Sequence, residues 1–456
     1  MGLIVIPIYT RLMSEADYGI YTVFQSWFAI AVIVVTLNLG AFAFQNGMFK
    51  FEEDRDGFSS SMLGLSTFVT IIWIVVFLFT SEFWSSLLGL SSPIVFLLLI
   101  RCLISPAYDY WSSRLRFEYR YKAVVASTLI LTVLTPLLSV PAIYFADNKI
   151  YTALICQIVV MAIVYVVPLI SLMKKSLKFF NKEYWKFALK FTLPLMPYLI
   201  SLVILANIGR IIVSWVCGPE YAAIYGVASN AALVALVVTT AINQSIIPWT
   251  YQSIKVGETK KIYPVLFPIM IGIVYLCFYV SLFSPEIMSI LAPPSYMSGS
   301  FVIPPIAATV ILMVIIDAFV RIEYYYEETV WSAVGSFTAA VSNILFTYGF
   351  VSFFSYWTAG YAMLFSYVIY AMAHCYFMKR ALKKHNGDLQ IYNIKQMFLI
   401  AAVGSVVILF PTLLFDNCLI RVFVAIALLF FPFVFRKKIK HIYLIISNKS
   451  NMEIRI

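Results

Sequence analysis

Apolar runs too long for any soluble core set the limits on this chain. The stretch from Lys190 to Gly218 shows the pattern: two prolines three apart, Pro194 and Pro197, then an apolar helical period broken by one charge, Arg210. A helix needs about 20 apolar residues to cross the ~30 Å hydrocarbon layer. Inside that layer every backbone N–H and C=O must find a partner within the protein, which leaves only helices or closed barrels. Short alternating segments of the barrel type are absent, so the spans are helical. With 62% hydrophobic and 12% charged residues, the chain has no polar segment long enough for a separate soluble catalytic domain.

Charge-poor runs of suitable length predict spans near 1–13, 19–47, 60–80, 92–112, 122–146, 150–173, 190–217, 221–250, 262–290, 300–323, 329–353, 356–379, 395–415 and 418–435. The expected fold is therefore an all-α membrane protein of about fourteen transmembrane helices. The 330–378 run is split only by Phe353-Phe354-Ser355-Tyr356, and the first run is short for a span, as a truncated helix would be. At its end, Ser14 is placed to cap the next helix, with Glu15 and Asp17 at that helix's positive end.

Orientation follows from the cations. With the N-terminus cytoplasmic, 27 of the 32 Lys and Arg residues fall in cytoplasmic loops and the tail, and three (Arg11, Lys149 and Arg421) fall outside. Such a bias is the signature of topology rather than of nucleic-acid binding, and an even span count puts both termini in the cytoplasm. The six cysteines are scattered without ligand spacing, and no catalytic motif is present, so no cofactor, metal site or enzymatic activity is expected.

An internal repeat is visible. Gly19-Ile-Tyr-Thr-Val23 recurs as Ala223-Ile-Tyr-Gly-Val227, and Thr152-Ala153 as Thr358-Ala359, at offsets of 204 and 206. The expected domains are a six-helix lobe over 1–178, a second over 179–385, and two accessory helices with a basic tail over 386–456. Six helices per block give both blocks the same orientation in the membrane, hence a parallel repeat.

The informative residues are charges inside the spans. Arg210 lies eight residues before the Gly218-Pro219 turn and Arg101 eight residues after Pro93, each about 12 Å deep at helical rise. A buried arginine is expensive in hydrocarbon and should face protein or a wet cavity. Either both line a central cavity and bind an anionic head group such as a pyrophosphate, or each pairs with an acid or with carbonyls in the bundle. The absence of an acidic residue at similar depth favours the first reading, and the planar fork of arginine suits phosphate. Asp109 and Asp317, at an offset of 208, are the candidates for coupling an ion. Asp317 has Arg321 at the i,i+4 spacing of an ion pair, whereas Asp109 has no such neighbour. His374, within a span, reads as a hydrogen-bonded bundle residue. Tyr108, Tyr110, Trp111 and the Tyr324-Tyr325-Tyr326 run sit at corresponding span ends and read as belt residues or sugar-stacking platforms.

Two stretches carry a family resemblance. Pro7, Arg11 and Ser14-Glu-Ala-Asp-Tyr18-Gly-Ile-Tyr21, and the proline-bracketed helix ending Arg210…Gly218-Pro219-Glu220-Tyr221-Ala222-Ala223, resemble the Wzx-type polysaccharide-export flippases of the multidrug/oligosaccharidyl-lipid/polysaccharide (MOP) superfamily. The chain departs from that pattern at Gly209, where the family often has an acid. The resemblance implies flipping of a polyprenyl-diphosphate-linked oligosaccharide of the O-antigen or capsule type across a bacterial inner (plasma) membrane by alternating access. A driving proton or sodium ion and polysaccharide polymerase partners belong to the same expectation; the lipid bilayer is the medium, and nucleic acid has no place. A multidrug exporter, a lipid-linked peptidoglycan precursor flippase and, at greater distance, a membrane glycan polymerase remain open alternatives.

Overall fold

Ser14 begins the first long helix as its sequence predicts: its hydroxyl accepts from the Asp17 amide at 3.1 Å and donates to the Asp17 carboxylate at 2.8 Å, closing the first turn. The computed structural model describes residues 2–40, 42–386 and 390–429; the basic tail from Arg436 and the end of the last expected span lie outside them. The helices are α1 (Gly2–Leu12), α2 (Glu15–Val35), α3 (Ala43–Lys50), α4 (Arg55–Leu88), α5 (Ser92–Phe117), α6 (Tyr121–Phe145), α7 (Lys149–Met173), α8 (Lys182–Thr192) and α9 (Met196–Cys217). They continue as α10 (Pro219–Ala232), α11 (Ala235–Lys255), α12 (Ile262–Leu282), α13 (Ser284–Leu291), α14 (Ile303–Tyr325), α15 (Thr329–Phe353), α16 (Ala359–Asn386), α17 (Ile394–Leu409) and α18 (Cys418–Leu429). No strand occurs among the described residues.

Twelve helical segments among the described residues are long and apolar enough to cross a membrane. Each of the fourteen expected runs contains helix among the described residues; the two that fall short are α1, with 11 residues, and α18, with 12 to the end of the described residues. The protein is a multi-pass membrane protein. Phe353-Phe354-Ser355-Tyr356 is a real helix end, where α15 stops and a 3-10 turn leads into α16.

Four expected spans differ from the structure. The run 221–250 is divided into α10 and α11, and 262–290 into α12 and α13. The run 60–80 continues to Leu88, with the chain leaving helical geometry at Thr80 (φ −130°). The run 19–47 is two helices, because the chain unwinds after Val35, with Leu37 and Asn38 at positive φ (61° and 41°). Unwound backbone is tolerated at membrane depth only if its polar groups find partners. They do: Thr70 Oγ1 donates to the Val35 carbonyl, Ser66 Oγ to Thr36 and Ser113 Oγ to Gly40, at 3.2, 3.2 and 3.3 Å.

The chain forms two compact units, Met1–Ala223 and Ile224–Ile456. In the first, α4 packs on α5, α5 on α7 and α7 on α6, α9 lies along α2, and α8 reaches α3 and α4. One of its apolar clusters of buried residues includes Phe44, Met48, Phe58, Met62 and Tyr110. The α2–α9 approach depends on Trp27 and Trp215, whose ring centroids are 6.0 Å apart. At Gly19 a Cβ would fall 1.8 Å from the Pro219 carbonyl oxygen, so the glycine that opens the first copy of the repeat, where the second has Ala223, is a contact requirement. In the second unit, α14 is the buried centre, covered by α12, α16 and α17, with α15 packed on α16. Compactness thus places α8 and α9 with the first six spans, whereas the repeat assigns them to the second block.

Candidate functional site

Arg101 is the tenth residue of α5, which begins at Ser92 with Pro93 in its first turn, about 14 Å along the helix at its usual rise. Its Nη1 donates to Gln25 Oε1 at 2.7 Å, with Gln157 Oε1 at 3.5 Å, and the Gln25 amide donates in turn to Gln157 Oε1 at 2.9 Å. The guanidinium carbon lies 3.7 Å from the Phe28 ring centroid and 5.8 Å from that of Phe24. Three helices, α2, α5 and α7, therefore converge on one half-buried cation. Its partners are amides and aromatic faces; among the described residues it has no carboxylate within ion-pair distance, and its Nε is buried without a partner. Amides and a ring orient a guanidinium without cancelling its charge. Gln25, Gln157 and Phe28 did not emerge from the sequence, although two glutamines inside apolar runs are themselves a signal.

Arg210 is half-buried in the last third of α9, and its Nη1 reaches Asn207 Oδ1, one turn earlier, at 3.3 Å. Asn207 Nδ2 donates to the Val203 carbonyl at 3.0 Å, which fixes the amide's orientation. Gly218, at φ 105°, ends the helix. Both arginines belong to the first compact unit.

Asp109 is two turns beyond Arg101 on α5 and faces the break in α2: a Cβ on Gly40 would lie 3.5 Å from the Asp109 Cβ. Asp109 is exposed and its carboxylate is in no ion pair among the described residues. Beside it, Tyr108 stacks on Tyr165 (4.7 Å, 12°) and donates to or accepts from Thr128 at 2.9 Å. Tyr110 and Trp111, by contrast, are buried; Tyr110 stacks on Phe44 and bonds the Ser66 hydroxyl, so neither is a belt residue nor free to stack on a sugar.

In the second unit the expected Asp317–Arg321 ion pair is not made. The Asp317 carboxylate instead accepts from Asn243 Nδ2 at 2.6 Å, and Arg321 Nε turns back onto the Asp317 backbone carbonyl at 2.9 Å. An i,i+4 spacing permits a pair, but the amide on α11 claims the carboxylate first. His374 is fully buried and its Nδ1 lies 2.8 Å from Glu323 Oε1, equally buried. Ser332 donates to the other carboxylate oxygen, and the Tyr370 ring packs edge-on against the imidazole at 4.7 Å. This pins α14, α15 and α16 together, as expected of a bundle residue; Glu323 was the partner missing from the sequence reading.

The family model for polysaccharide biosynthesis proteins matches residues 1–254. No curated protein sequence matches the chain. Solved structures share its fold at low identity. An inward-facing multidrug resistance transporter of the MATE family, in the MOP superfamily, aligns with TM-score 0.67 at 13% identity over 84% of this chain and 94% of that one. The lipid II flippase MurJ, in an inward closed conformation, aligns with TM-score 0.63 at 14% identity over 100% and 97%. A MOP superfamily transporter from Pyrococcus furiosus, described as having a binding pocket of reversed polarity, gives 0.56 at 14% over 83% and 91%. With the family model covering more than half of its length, this chain belongs to the polysaccharide biosynthesis protein family, and it carries the MOP-superfamily fold.

Proposed function

We propose that this protein is a flippase that moves a polyprenyl-diphosphate-linked oligosaccharide, of the O-antigen or capsule type, across a bacterial plasma membrane. The observation that carries the reading is the setting of Arg101: a mid-span guanidinium held by Gln25, Gln157 and Phe28, with its charge left uncancelled. A diphosphate entering the membrane needs cations at depth, and a cationic substrate would need carboxylates there instead. Arg101 and Arg210 are the substrate-binding residues in this scheme. The sugar moiety is carried through on the diphosphate while the polyprenyl tail stays in the bilayer, and access alternates between the two faces. Asp109, exposed beside the unwound segment after α2, is the better candidate for a driving proton or sodium ion. Asp317 is engaged by Asn243.

The test is a paired measurement of surface polysaccharide and membrane-fraction abundance. Arg210→Ala and Arg101→Ala should each abolish nearly all export at normal abundance. The Lys replacements should keep part of it, because the charge stays and the fork is lost. Depleted protein in both Ala variants would assign the arginines to structure.

A further inference from the structure

At one end of the second unit, three spans finish around an open groove of about 1030 Å³. It lies where α12 begins, α16 ends and α17 begins, the side that the Lys and Arg bias assigns to the cytoplasm. Four lysines line it: Lys260 ahead of α12, Lys379 and Lys383 one turn apart on α16, and Lys395 in the first turn of α17. Among the described residues, no acidic side chain is part of the lining.

Neighbouring lysines in the same segments are neutralised. Lys261 pairs with Glu258 at 2.8 Å and Lys384 with Glu328 at 2.6 Å. The four groove lysines are all exposed and have no ion pair among the described residues. Tyr263, at the groove wall, has a hydroxyl without a partner among the described residues. The same lining includes apolar side chains: Pro264 is exposed and Ile394 half-buried, whereas Met378 and Leu382 are buried. Tyr392, also in the lining, is anchored by its hydroxyl, which donates to the Ala318 carbonyl of α14 at 3.1 Å.

We propose that this groove is a binding site for the head group of an anionic phospholipid. Unpaired cations and apolar side chains lining one groove, at the level where spans meet the head-group layer, match a phosphate joined to a hydrocarbon stem. A free phosphate would use the charges but not the apolar part of the lining, and an acidic protein segment would not need the span-end depth. Four flexible ammonium groups also suit a head group of variable geometry better than one rigid fork would. The site is separate from the arginines of the first unit and does not depend on what they transport.

The full-length protein, purified in detergent, would be titrated with phosphatidylglycerol or phosphatidylcholine micelles, and bound lipid counted by native mass spectrometry. The wild type should prefer phosphatidylglycerol by about tenfold or more. The variant carrying Lys260→Gln, Lys379→Gln, Lys383→Gln and Lys395→Gln should lose that preference. A control variant with Lys174→Gln, Lys175→Gln, Lys182→Gln and Lys186→Gln should keep it. Lys383→Gln and Lys395→Gln alone, both surface changes, should each weaken it in part, which preserves the test if the fourfold variant does not fold. The proposal is overturned if the groove variants bind as the wild type does, if the control variant loses the preference equally, or if excess inorganic phosphate displaces the lipid completely. Retention of a co-purifying acidic protein in place of lipid would overturn it as well.

Discussion

At the scale of single residues, function and stability separate by the kind of partner each buried charge has. Arg101 has amides and a ring; His374 and Glu323 have each other. Gln25→Glu tests the first directly, since it sets a carboxylate where an amide now receives the guanidinium. The new pair should leave membrane abundance intact or improved, yet lower export by about tenfold or more, because the cation is then cancelled before the substrate arrives. Unchanged export would show that Arg101's charge is not used. His374→Ala should act the other way: Glu323 would be left buried without its imidazole, at a cost of about 3–5 kcal/mol. Thermal denaturation in detergent should show a marked loss, and Glu323→Gln in the same chain should restore part of it. An unshifted melting temperature would deny the pair its structural role.

At the scale of elements, the helix ends that depend on local chemistry were legible and the break that depends on distant partners was not. Ser14 caps α2 through Asp17, three residues away, and both residues stand in plain view in the sequence. The unwinding after Val35 occurs inside an uninterrupted apolar run, and what permits it is Ser66 and Thr70 on α4 and Ser113 on α5. The same reason hid the Arg101 site, whose two glutamines come from positions 132 residues apart. Depth along a helix could be counted from the sequence, but which side chains meet at that depth is a matter of packing. The broken segment also makes a prediction about coupling. Asp109 faces it with an exposed carboxylate, so Asp109→Asn should slow transport by about tenfold or more, the effect of removing a charged ligand from a cation. Asp317→Asn, which only changes a hydrogen bond to Asn243, should have a minor effect. Transport assayed across imposed proton and sodium gradients would check this, and equal effects of the two substitutions would remove Asp109 from the coupling role.

For the molecule as a whole, apolar runs and cation bias led to the multi-pass helical architecture, and the family model over residues 1–254 supports the polysaccharide connection. The compact units place the helix of Arg210 with the first six spans, a consequence of α9 lying on α2 that no repeat could reveal. The central claim is that the chain carries a lipid diphosphate past the arginines within its spans, and reconstitution tests it most directly. Purified protein in liposomes would be given a fluorescent polyprenyl-diphosphate oligosaccharide, and the fraction reaching the opposite leaflet measured by quenching. The account predicts movement with the wild type, little with Arg101→Ala, and partial movement with Arg101→Lys. Movement by Arg101→Ala and Arg210→Ala at the wild-type rate would contradict it.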